Sequence, residues 1–404
     1  MKFSNRVSAL QESPIRKFGP MAREIEDEGV EVIHLNIGQP DIPTPHDFLE
    51  AVRRFDVDVL AYQDSRGMKR TLETMQLYLH NYGLDFDLDE ICITNGASEG
   101  LSFTMTILCD PGDSILCIEP FYTNYNSMAQ AQGINIVTAT ARAEDGFRIP
   151  SKEEIRKTIR SMETPSRLKA ILLSSPANPT GRVYTREEMQ TLVDIAVEQD
   201  LWIMADEVYR EFNYTDRPFY SFMEFEEVRD RVILIDSISK KYSACGARIG
   251  SISSKNARFN AEIMKLCQMR LSVSTLDQIG AGAMDVVDDE YVYKNRRIYR
   301  ERRNALQRRL NALEGVIAPV PEGAFYNIIK LPVENAEEFT KWTLQNVRVH
   351  NATVLMTPAE SFYRTPGLGR DEVRISYCVS TEKIEQAMDI LQKALEEYPG
   401  RIDR

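Results

Sequence analysis

The sequence predicts an α/β fold: a mainly parallel sheet of seven strands flanked by helices, with a smaller α+β domain beside it. Two observations lead to this fold class. Short apolar runs rich in Ile, Val and Leu have the composition of strands that are buried on both faces. Amphipathic stretches of helical period separate several of these runs, and this alternation is typical of parallel sheets.

Seven apolar runs are the predicted strands, at residues 91–94, 114–119, 134–138, 170–174, 201–206, 232–236 and 248–253. Two of the predicted helices begin with a capping box, in which a Ser or Thr is followed three positions later by Glu. Ser151 with Glu154 has this spacing, and so has Thr185 with Glu188. Both boxes precede runs of helical period, so the helices lie between strands.

A change of pattern after residue 277 indicates a second domain. Residues 277–313 contain no Pro and predict one long helix that joins the two domains. Its charged run, 294–303, is better explained as a solvated helix face than as a nucleic-acid site. The smaller domain is expected to contain strands near 324–329 and 372–378 and a last helix near 382–397. The predicted domains are 46–285 for the large one and 1–45 plus 286–404 for the small one.

Composition and charge exclude several classes of protein. Hydrophobic residues make up 43% of the chain and charged residues 27%, as in a soluble globular enzyme. No apolar run reaches the 18 residues or so of a membrane span, and none follows the N-terminus as in a secretory signal. The net charge of −12 argues against nucleic acid as a partner, because an acidic surface repels phosphates.

Cysteine and histidine usage points to a reducing compartment without a metal site. None of the six cysteines forms a CxxC pair, so we expect buried thiols and a cytoplasmic location. No two of the four histidines have the spacing of metal ligands, so no metal is expected.

Three turns follow predicted strands at the sheet edge where open α/β sheets bind ligands. In residues 94–100, Gly96 permits a tight turn, and the amides of Ala97 and Ser98 could hold an anion at a helix N-terminus. Such a turn is also common as a plain helix cap. In residues 174–181, two prolines restrict the backbone around Asn178, which is either a ligand-binding amide or a capping residue.

The third turn carries Asp206 at the end of a predicted strand. A carboxylate at the end of an apolar strand is costly to bury unless a cation pairs with it, although Asp206 could also cap a helix.

A fourth segment, residues 237–250, favours ligand binding over plain capping at these turns. Here Ser237, Ser239 and Arg248 supply donors for a phosphate. Between them, Lys240 in a dry pocket would lose proton affinity and become a usable amine, unless Lys240 and Lys241 are a surface pair.

The segment Ser237-Ile-Ser-Lys240, followed by Gly246-Ala-Arg-Ile-Gly250, resembles the pyridoxal-phosphate attachment motif of class I/II aminotransferases, in the aspartate aminotransferase fold group. Five further segments match that family in the same order: Gly96-Ala-Ser98, Pro120-Phe-Tyr122, Asn178-Pro-Thr-Gly181, Asp206-Glu-Val-Tyr209 and Val373-Arg-Ile-Ser-Tyr377. The resemblance extends from about residue 33 to residue 378, which is most of the chain.

The resemblance implies a role for each matched residue around pyridoxal 5'-phosphate. Lys240, rather than Lys241, would hold the cofactor covalently and later move a proton, while Asp206 would pair with the pyridine nitrogen. Tyr209 and Asn178 would meet the ring hydroxyl, and Tyr122 would stack on the ring. The phosphate would be held by residues of two turns: Gly96, Ala97, Ser98, Ser237, Ser239 and Arg248. Tyr62 resembles a tyrosine that reaches the neighbouring subunit's phosphate, which implies a homodimer with shared active sites.

For the substrate, the resemblance assigns the α-carboxylate to Arg374, whose planar fork binds a carboxylate bidentately. Asn178 and the backbone of Gly38 would also meet the substrate. The implied reaction moves an amino group from an L-amino acid to a 2-oxo acid such as 2-oxoglutarate, in a ping-pong mechanism. Aspartate is the favoured donor, because residues 365–374 resemble bacterial members assigned to it. Ala97 replaces the lysine that reads the distal carboxylate in one bacterial subgroup, which leaves Arg270 and Arg16 as candidates.

Two kinds of alternative stay open on the sequence alone. Aromatic or alanine aminotransferases, carbon–sulfur lyases and cyclopropane-carboxylate synthases share the scaffold and keep Lys240, Asp206 and Arg374. A regulator with an aminotransferase-like domain is disfavoured, because about 30 residues before the first strand are too few for a DNA-binding domain.

Overall fold

The computed structural model describes residues 3–10 and 12–403. Its strands are β1 (Glu31–His34), β2 (Ile91–Asn95), β3 (Ser114–Glu119), β4 (Asn135–Thr140), β5 (Leu168–Ser174), β6 (Trp202–Asp206), β7 (Val232–Ser237), β8 (Ile249–Ser253), β9 (Tyr326–Lys330), β10 (Ala352–Leu355), β11 (Thr357–Pro358) and β12 (Glu372–Ser376). Its α-helices are α1 (Asn5–Ser8), α2 (Gly19–Asp27), α3 (His46–Arg53), α4 (Lys69–His80), α5 (Gly96–Leu108), α6 (Asn124–Gln132), α7 (Lys152–Arg160), α8 (Arg186–Glu198), α9 (Ile238–Lys241), α10 (Ala257–Arg270), α11 (Thr275–Gly282), α12 (Asp289–Leu310), α13 (Ala336–Asn346) and α14 (Thr381–Glu397).

The main sheet has seven strands in the order β2-β8-β7-β6-β5-β3-β4. All neighbours are parallel except β8, which runs antiparallel to both β2 and β7. The prediction of a mainly parallel seven-stranded sheet is therefore confirmed, and every predicted run overlaps one of its strands. The five central strands are almost wholly buried on both faces, which explains why they read as continuous apolar runs.

Both predicted capping boxes are present. The Ser151 hydroxyl accepts a hydrogen bond from the Glu154 amide at the start of α7, and the Thr185 hydroxyl accepts one from the Glu188 amide at the start of α8. Each glutamate returns the interaction by accepting from the backbone amide of the capping residue. The sequence therefore located these two helix starts correctly.

The prediction of one long helix over 277–313 is wrong. The chain forms α11, then a single 3-10 turn at Met284–Val286, then α12. Asp288 starts the new helix, because its carboxylate accepts a hydrogen bond of 2.9 Å from the Glu290 amide. Proline is not required to end a helix, and the absence of Pro concealed this break.

A second group of strands forms two small sheets. Strands β11, β12 and β9 make an antiparallel sheet, and β1 pairs with β10 in parallel. The predicted strands near 324–329 and 372–378 correspond to β9 and β12, and the predicted last helix is α14. Strand β10 was not predicted. These strands share a buried core with α12 and α14. Tyr209 and Phe212, which follow β6 of the main sheet, also pack into this core. The domain limits at residues 45 and 285 stay a prediction.

Among the helices of residues 3–10 and 12–403, none combines the length and the apolar composition that a membrane span requires.

Strand β8 and the start of α5 are in close contact at the carboxyl edge of the main sheet. A Cβ atom on Gly250 would lie 2.6 Å from the Ala97 nitrogen and 2.6 Å from the Gly96 carbonyl carbon. Since both are backbone atoms, neither can rotate away, and only glycine allows the strand and the helix to approach so closely.

Gly250→Ala is therefore expected to destabilise the fold by about 2 kcal/mol, because backbone must shift to accommodate the methyl group. Urea unfolding of the variant and the parent measures this difference. Gly246→Ala is the matched control: a Cβ there meets nothing within 4 Å, and its unfolding midpoint should stay close to that of the parent. Equal effects of the two changes would contradict the packing argument.

Candidate active site

A cavity of about 530 Å³ lies at the carboxyl edge of the main sheet and extends to the small sheets. Most of the residues that the sequence singled out line it: Gly38, Ala97, Ser98, Tyr122, Asn178, Asp206, Tyr209, Ser237, Ser239, Lys240, Arg248 and Arg374. Gly96, Tyr62 and Arg270 do not line it. Gly96 precedes the lining residue Ala97, and Tyr62 is 79% exposed on the surface of the single chain.

The two adjacent lysines have different surroundings. Lys240 lines the cavity, and its Nζ donates a hydrogen bond of 2.8 Å to the Gly38 carbonyl. Lys241 instead forms a buried ion pair, with 2.5 Å between its Nζ and Asp236 Oδ2. The structure thus places Lys240, and not Lys241, where it can meet a ligand.

The expected loss of proton affinity at Lys240 is wrong for this cavity. Burial is the largest single effect and disfavours the charged amine, but the ionisable groups of Tyr326, Cys245, Cys378 and Tyr122 together outweigh it, so the pKa of Lys240 lies above its ordinary value. The Cys245 Sγ is 3.9 Å from Lys240 Nζ. Burial does lower the pKa of Lys241, in spite of its pairing with Asp236.

Asp206 ends β6, the middle strand of the sheet, and is buried. The Tyr125 hydroxyl donates a hydrogen bond of 2.5 Å to Asp206 Oδ2, while Oδ1 has no partner among the described residues. Burial raises the pKa of Asp206 to about 6, and the hydrogen bonds from Tyr125 and the Val208 amide only partly oppose the increase. A carboxylate that is buried with one free oxygen is suited to bind a cationic nitrogen.

Arg374, on β12, is 1% exposed. Its guanidinium donates to Asn178 Oδ1 at 3.1 Å and to the Asn36 carbonyl at 2.6 Å, while its Nε has no partner within the described chain. The guanidinium carbon lies 4.5 Å from the centre of the Tyr326 ring. These contacts fix a planar cation at the inner wall of the cavity, where it can bind a carboxylate.

Hydroxyl and amide donors line the cavity together with Arg248. The Ser237 hydroxyl is 2.9 Å from the Ser239 hydroxyl, and both line the cavity with Ala97 and Ser98 of the α5 N-terminus. A Cβ on Gly96, whose φ is +72°, would overlap the Arg248 guanidinium. Glycine is therefore required for this arginine to lie against the helix start, which makes a site suited to an anion.

Sequence reasoning missed two tyrosines of this site. The Tyr326 hydroxyl is 3.0 Å from the Tyr209 hydroxyl and 3.5 Å from the Gly38 carbonyl. A Cβ on Gly38 would overlap the Tyr326 ring, so this residue must be glycine. Tyr125 supports Asp206. Tyr326 starts an apolar strand, and Tyr125 lies three residues after Tyr122. Neither sequence position indicates that the side chain will contact Tyr209 or Asp206.

Arg270 and Arg16, the two candidates for binding a substrate side chain, differ in their position relative to the cavity. Arg270 does not line the cavity, because it pairs with Glu99 at 2.9 Å and donates to the Ser65 carbonyl at 2.8 Å. The suggestion that Arg270 reads the substrate is therefore not supported within this chain. Arg16 does line the cavity.

Comparison with known proteins identifies the family of this chain. The family model described as aminotransferase class I and II matches residues 30–391. The chain belongs to this family. The aminotransferase is 30% identical to an aspartate aminotransferase of Thermotoga maritima, over 97% of this chain and 99% of the relative. It is 31% identical to an aspartate aminotransferase of Pyrococcus horikoshii, over 97% of each chain.

Solved structures confirm the fold of this aminotransferase. The crystal structure of the Thermotoga maritima aspartate aminotransferase matches with a TM-score of 0.87 at 29% identity, over 98% of this chain and 100% of that one. The resemblance noted in the sequence is thus confirmed. The class of reaction, transamination, follows from the family.

The raised pKa of Asp206 makes a prediction for the protein without added cofactor. Because the folded-state value of about 6 lies above the ordinary 3.8, the charged carboxylate costs stability above pH 6, and this cost disappears as the pH falls to 4. Asp206→Asn should therefore be more stable than the parent by about 3 kcal/mol at pH 8. Urea unfolding at pH 4 and pH 8 measures the effect, and the difference should close at pH 4.

Asp236→Asn is the matched comparison and should have the opposite sign. Asp236 neutralises the buried Lys241, so its removal is expected to destabilise the chain by about 3 kcal/mol or more. A destabilised Asp206→Asn at pH 8 would show that the free carboxylate carries no such cost.

Proposed function

We propose that this aminotransferase uses pyridoxal 5'-phosphate to transfer the amino group of L-aspartate to a 2-oxo acid such as 2-oxoglutarate. The observation that carries the proposal is the buried Asp206 carboxylate, which lines the same cavity as Lys240 and Arg374 and has one oxygen without a partner among the described residues. An anion in this position needs a cation, and the protonated ring nitrogen of the cofactor is such a group.

The residues present fit the cofactor at both of its ends. Arg248, Ser237, Ser239 and the amides of Ala97 and Ser98 would hold the phosphate, since they combine a cation with several donors. Tyr209 and Asn178 would bind the ring hydroxyl, and Tyr122 would stack on the ring. When bound, the cofactor supplies an electron-withdrawing ring that stabilises negative charge at the substrate α-carbon.

The chemistry required of this chain is positioning and proton transfer. Arg374 would bind the substrate α-carboxylate through its planar fork, with Asn178 and the Gly38 backbone beside it. Lys240 would hold the cofactor covalently and, once released, take the proton from the substrate α-carbon and return it to the cofactor side. Asp206 would keep the ring nitrogen protonated throughout. The two halves of the reaction, with donor and then acceptor, give a ping-pong mechanism.

Aspartate is proposed as the donor for two reasons. Residues 365–374 resemble bacterial members assigned to aspartate, and the relatives from Thermotoga maritima and Pyrococcus horikoshii carry the name aspartate aminotransferase. Their names support the assignment for those proteins, and the similarity over nearly the full length extends it to this chain as a proposal.

We also propose the setting in which the enzyme works. Residues 46–285 would form the cofactor-binding domain, and 1–45 with 286–404 the smaller one. All six cysteines are free thiols and five are buried, which agrees with a reducing compartment such as the cytoplasm. Tyr62 is exposed in the single chain, as expected for a residue that serves the neighbouring subunit of a homodimer.

A panel of L-amino donors tests the function. The protein is supplied with pyridoxal 5'-phosphate and 2-oxoglutarate, and each 2-oxo acid product is quantified. Aspartate should give the highest kcat/KM. Lys240→Ala should lower turnover by at least about a hundredfold, because the proton carrier is lost. Lys255→Ala, which removes a lysine paired with Glu90 outside the cavity, should leave turnover unchanged. Failure of every donor would contradict the proposal.

Mixed dimers test the shared site. Tyr62→Phe should weaken cofactor binding by about 1.5–3 kcal/mol, the usual contribution of a hydrogen bond to a charged group. Subunits with Tyr62→Phe are combined with Lys240→Ala subunits and assayed at limiting cofactor. If Tyr62 serves its neighbour, both lesions fall in one site, the other site is intact, and activity exceeds that of either parent. Activity no higher than the Tyr62→Phe parent, with mixed dimers confirmed by mass, would place Tyr62 in its own subunit's site or in none.

A further inference from the structure

A buried carboxylate outside the cavity joins the main sheet to the loop that precedes Arg374. Glu119 is the last residue of β3, is fully buried and does not line the cavity. The loop, residues 359–371, connects β11 to β12, the strand that carries Arg374. The proposed function gives Glu119 no role, although it lies three residues before Tyr122, which lines the cavity.

The Glu119 carboxylate accepts four hydrogen bonds. Its Oε2 accepts from the backbone amides of Arg364 at 2.6 Å and Thr365 at 3.1 Å, and its Oε1 accepts from the Thr365 hydroxyl at 2.6 Å. The fourth donor, at 2.7 Å, is the Thr140 hydroxyl of the neighbouring strand β4. A carboxylate has about four acceptor positions, so these donors fill them. Three of the four donors belong to the loop.

The loop connects this attachment to Arg374. The Phe362 carbonyl accepts a hydrogen bond of 3.0 Å from the Phe121 amide, and the centre of the buried Phe362 ring lies 5.1 Å from the Arg374 guanidinium carbon. The next residue, Tyr363, donates its hydroxyl at 2.6 Å to Glu372, which lies two residues before Arg374 on β12. The segment that Glu119 binds therefore packs against Arg374 and is bonded to its strand.

The loop borders empty space in two places. A cavity of about 480 Å³ lies between residues 140–144, after β4, and residues 367–372. A second cavity, of about 770 Å³, lies between residues 123–130 and residues 363–367. Because these gaps adjoin the loop, its hydrogen bonds to Glu119 are expected to determine where it lies.

We propose that Glu119 is a positioning residue: it holds residues 362–365 against the main sheet and so fixes Arg374 relative to the cofactor-binding residues. The inference rests on the proposed function and adds a residue that acts on the substrate through Arg374. The chain continues from Glu119 to Tyr122 on the cofactor side, while the loop packs on Arg374 on the substrate side. A displacement of about 1 Å between such groups can lower a rate about 100-fold.

Four variants separate positioning from general stability. Glu119→Met removes every acceptor at similar side-chain length. Glu119→Gln is the conservative variant, because its amide oxygen can accept from the two backbone amides while its nitrogen donates to the two hydroxyls. Thr365→Val and Thr140→Val are a matched pair, since each removes one hydroxyl donor to the same oxygen, but only Thr365 belongs to the loop.

Three quantities are measured in each holoenzyme. The first is the second-order rate constant of the half-reaction with the best donor of the panel and no acceptor, followed by the cofactor's absorbance. The second is the dissociation constant of the cofactor. The third is deuterium exchange of the amides in residues 362–371, which reports the attachment of the loop without reference to activity. Urea unfolding gives the stability of each variant.

Glu119→Met is expected to lower the rate constant about 10- to 100-fold, while the cofactor dissociation constant stays within about threefold. Exchange at residues 364 and 365 should become faster. Glu119→Gln should restore the rate constant to within about threefold of the parent. Thr365→Val should lower it about three- to tenfold and Thr140→Val by less than about twofold, although both should lose similar stability in urea.

A double-mutant cycle tests whether Glu119 acts through Arg374. In the Arg374→Lys enzyme the planar cation is already absent, so Glu119→Met should lower the rate constant there by less than about twofold further. The same fold-loss in both backgrounds would show that Glu119 acts independently of Arg374.

That result would overturn the inference, as would unchanged exchange or an unchanged rate constant in Glu119→Met, equal losses of rate in the two threonine variants, or a loss of cofactor affinity as large as the loss of rate. If Glu119→Met does not fold, the threonine pair decides. The absence of any half-reaction in the parent, with every donor tried, would instead overturn the proposed function.

Discussion

The site depends on a carboxylate buried at the end of the middle strand of the sheet. Asp206 is placed there by β6, and Tyr125 donates to one of its oxygens, while the other has no partner in the part of the chain that the structure describes. Burial raises the pKa of Asp206 to about 6, so the fold tolerates a group that is costly in its charged form. That cost is relieved by protonation of the carboxylate or by a cation in the cavity. The arrangement thus links the stability of the empty fold to the ligand that it is built to hold.

The antiparallel strand β8 brings a second set of residues to that carboxylate. Lys240 lies in α9, just after β7, and Arg248 comes directly before β8. The connection between these two strands therefore sets the distance in sequence between Lys240 and Arg248. The buried pair of Asp236 and Lys241 anchors the loop at its start, where the Ser237 amide also donates to Asp236 at 2.7 Å. Gly250 lets the returning strand touch the start of α5, which closes the anion-binding end of the cavity.

The remaining wall comes from the small sheets, which are distant in sequence. Arg374 on β12 and Tyr326 on β9 face residues of the main sheet, and Asn36 and Gly38 follow β1. Lys240 reaches this wall through the Gly38 carbonyl. Arg374 with Asn178 and Tyr326 with Tyr209 also join the two parts of the site by hydrogen bonds. A ligand that binds Arg374 and displaces Lys240 from Gly38 therefore acts on both parts together.

The sequence by itself determined the seven strands of the main sheet and two helix caps, because these depend on local composition and short spacings. Its resemblance to aminotransferases also singled out most of the residues that line the cavity. Tertiary structure decided the rest. It broke the helix predicted over 277–313 at Asp288, moved Arg270 away from the cavity to Glu99, and raised the pKa of Lys240. It also brought Tyr326 to Tyr209 and Tyr125 to Asp206, pairs that are 117 and 81 residues apart. The physical reason is that a contact between distant residues depends on how sheets and helices pack, and a pattern of neighbouring residues carries no record of that packing.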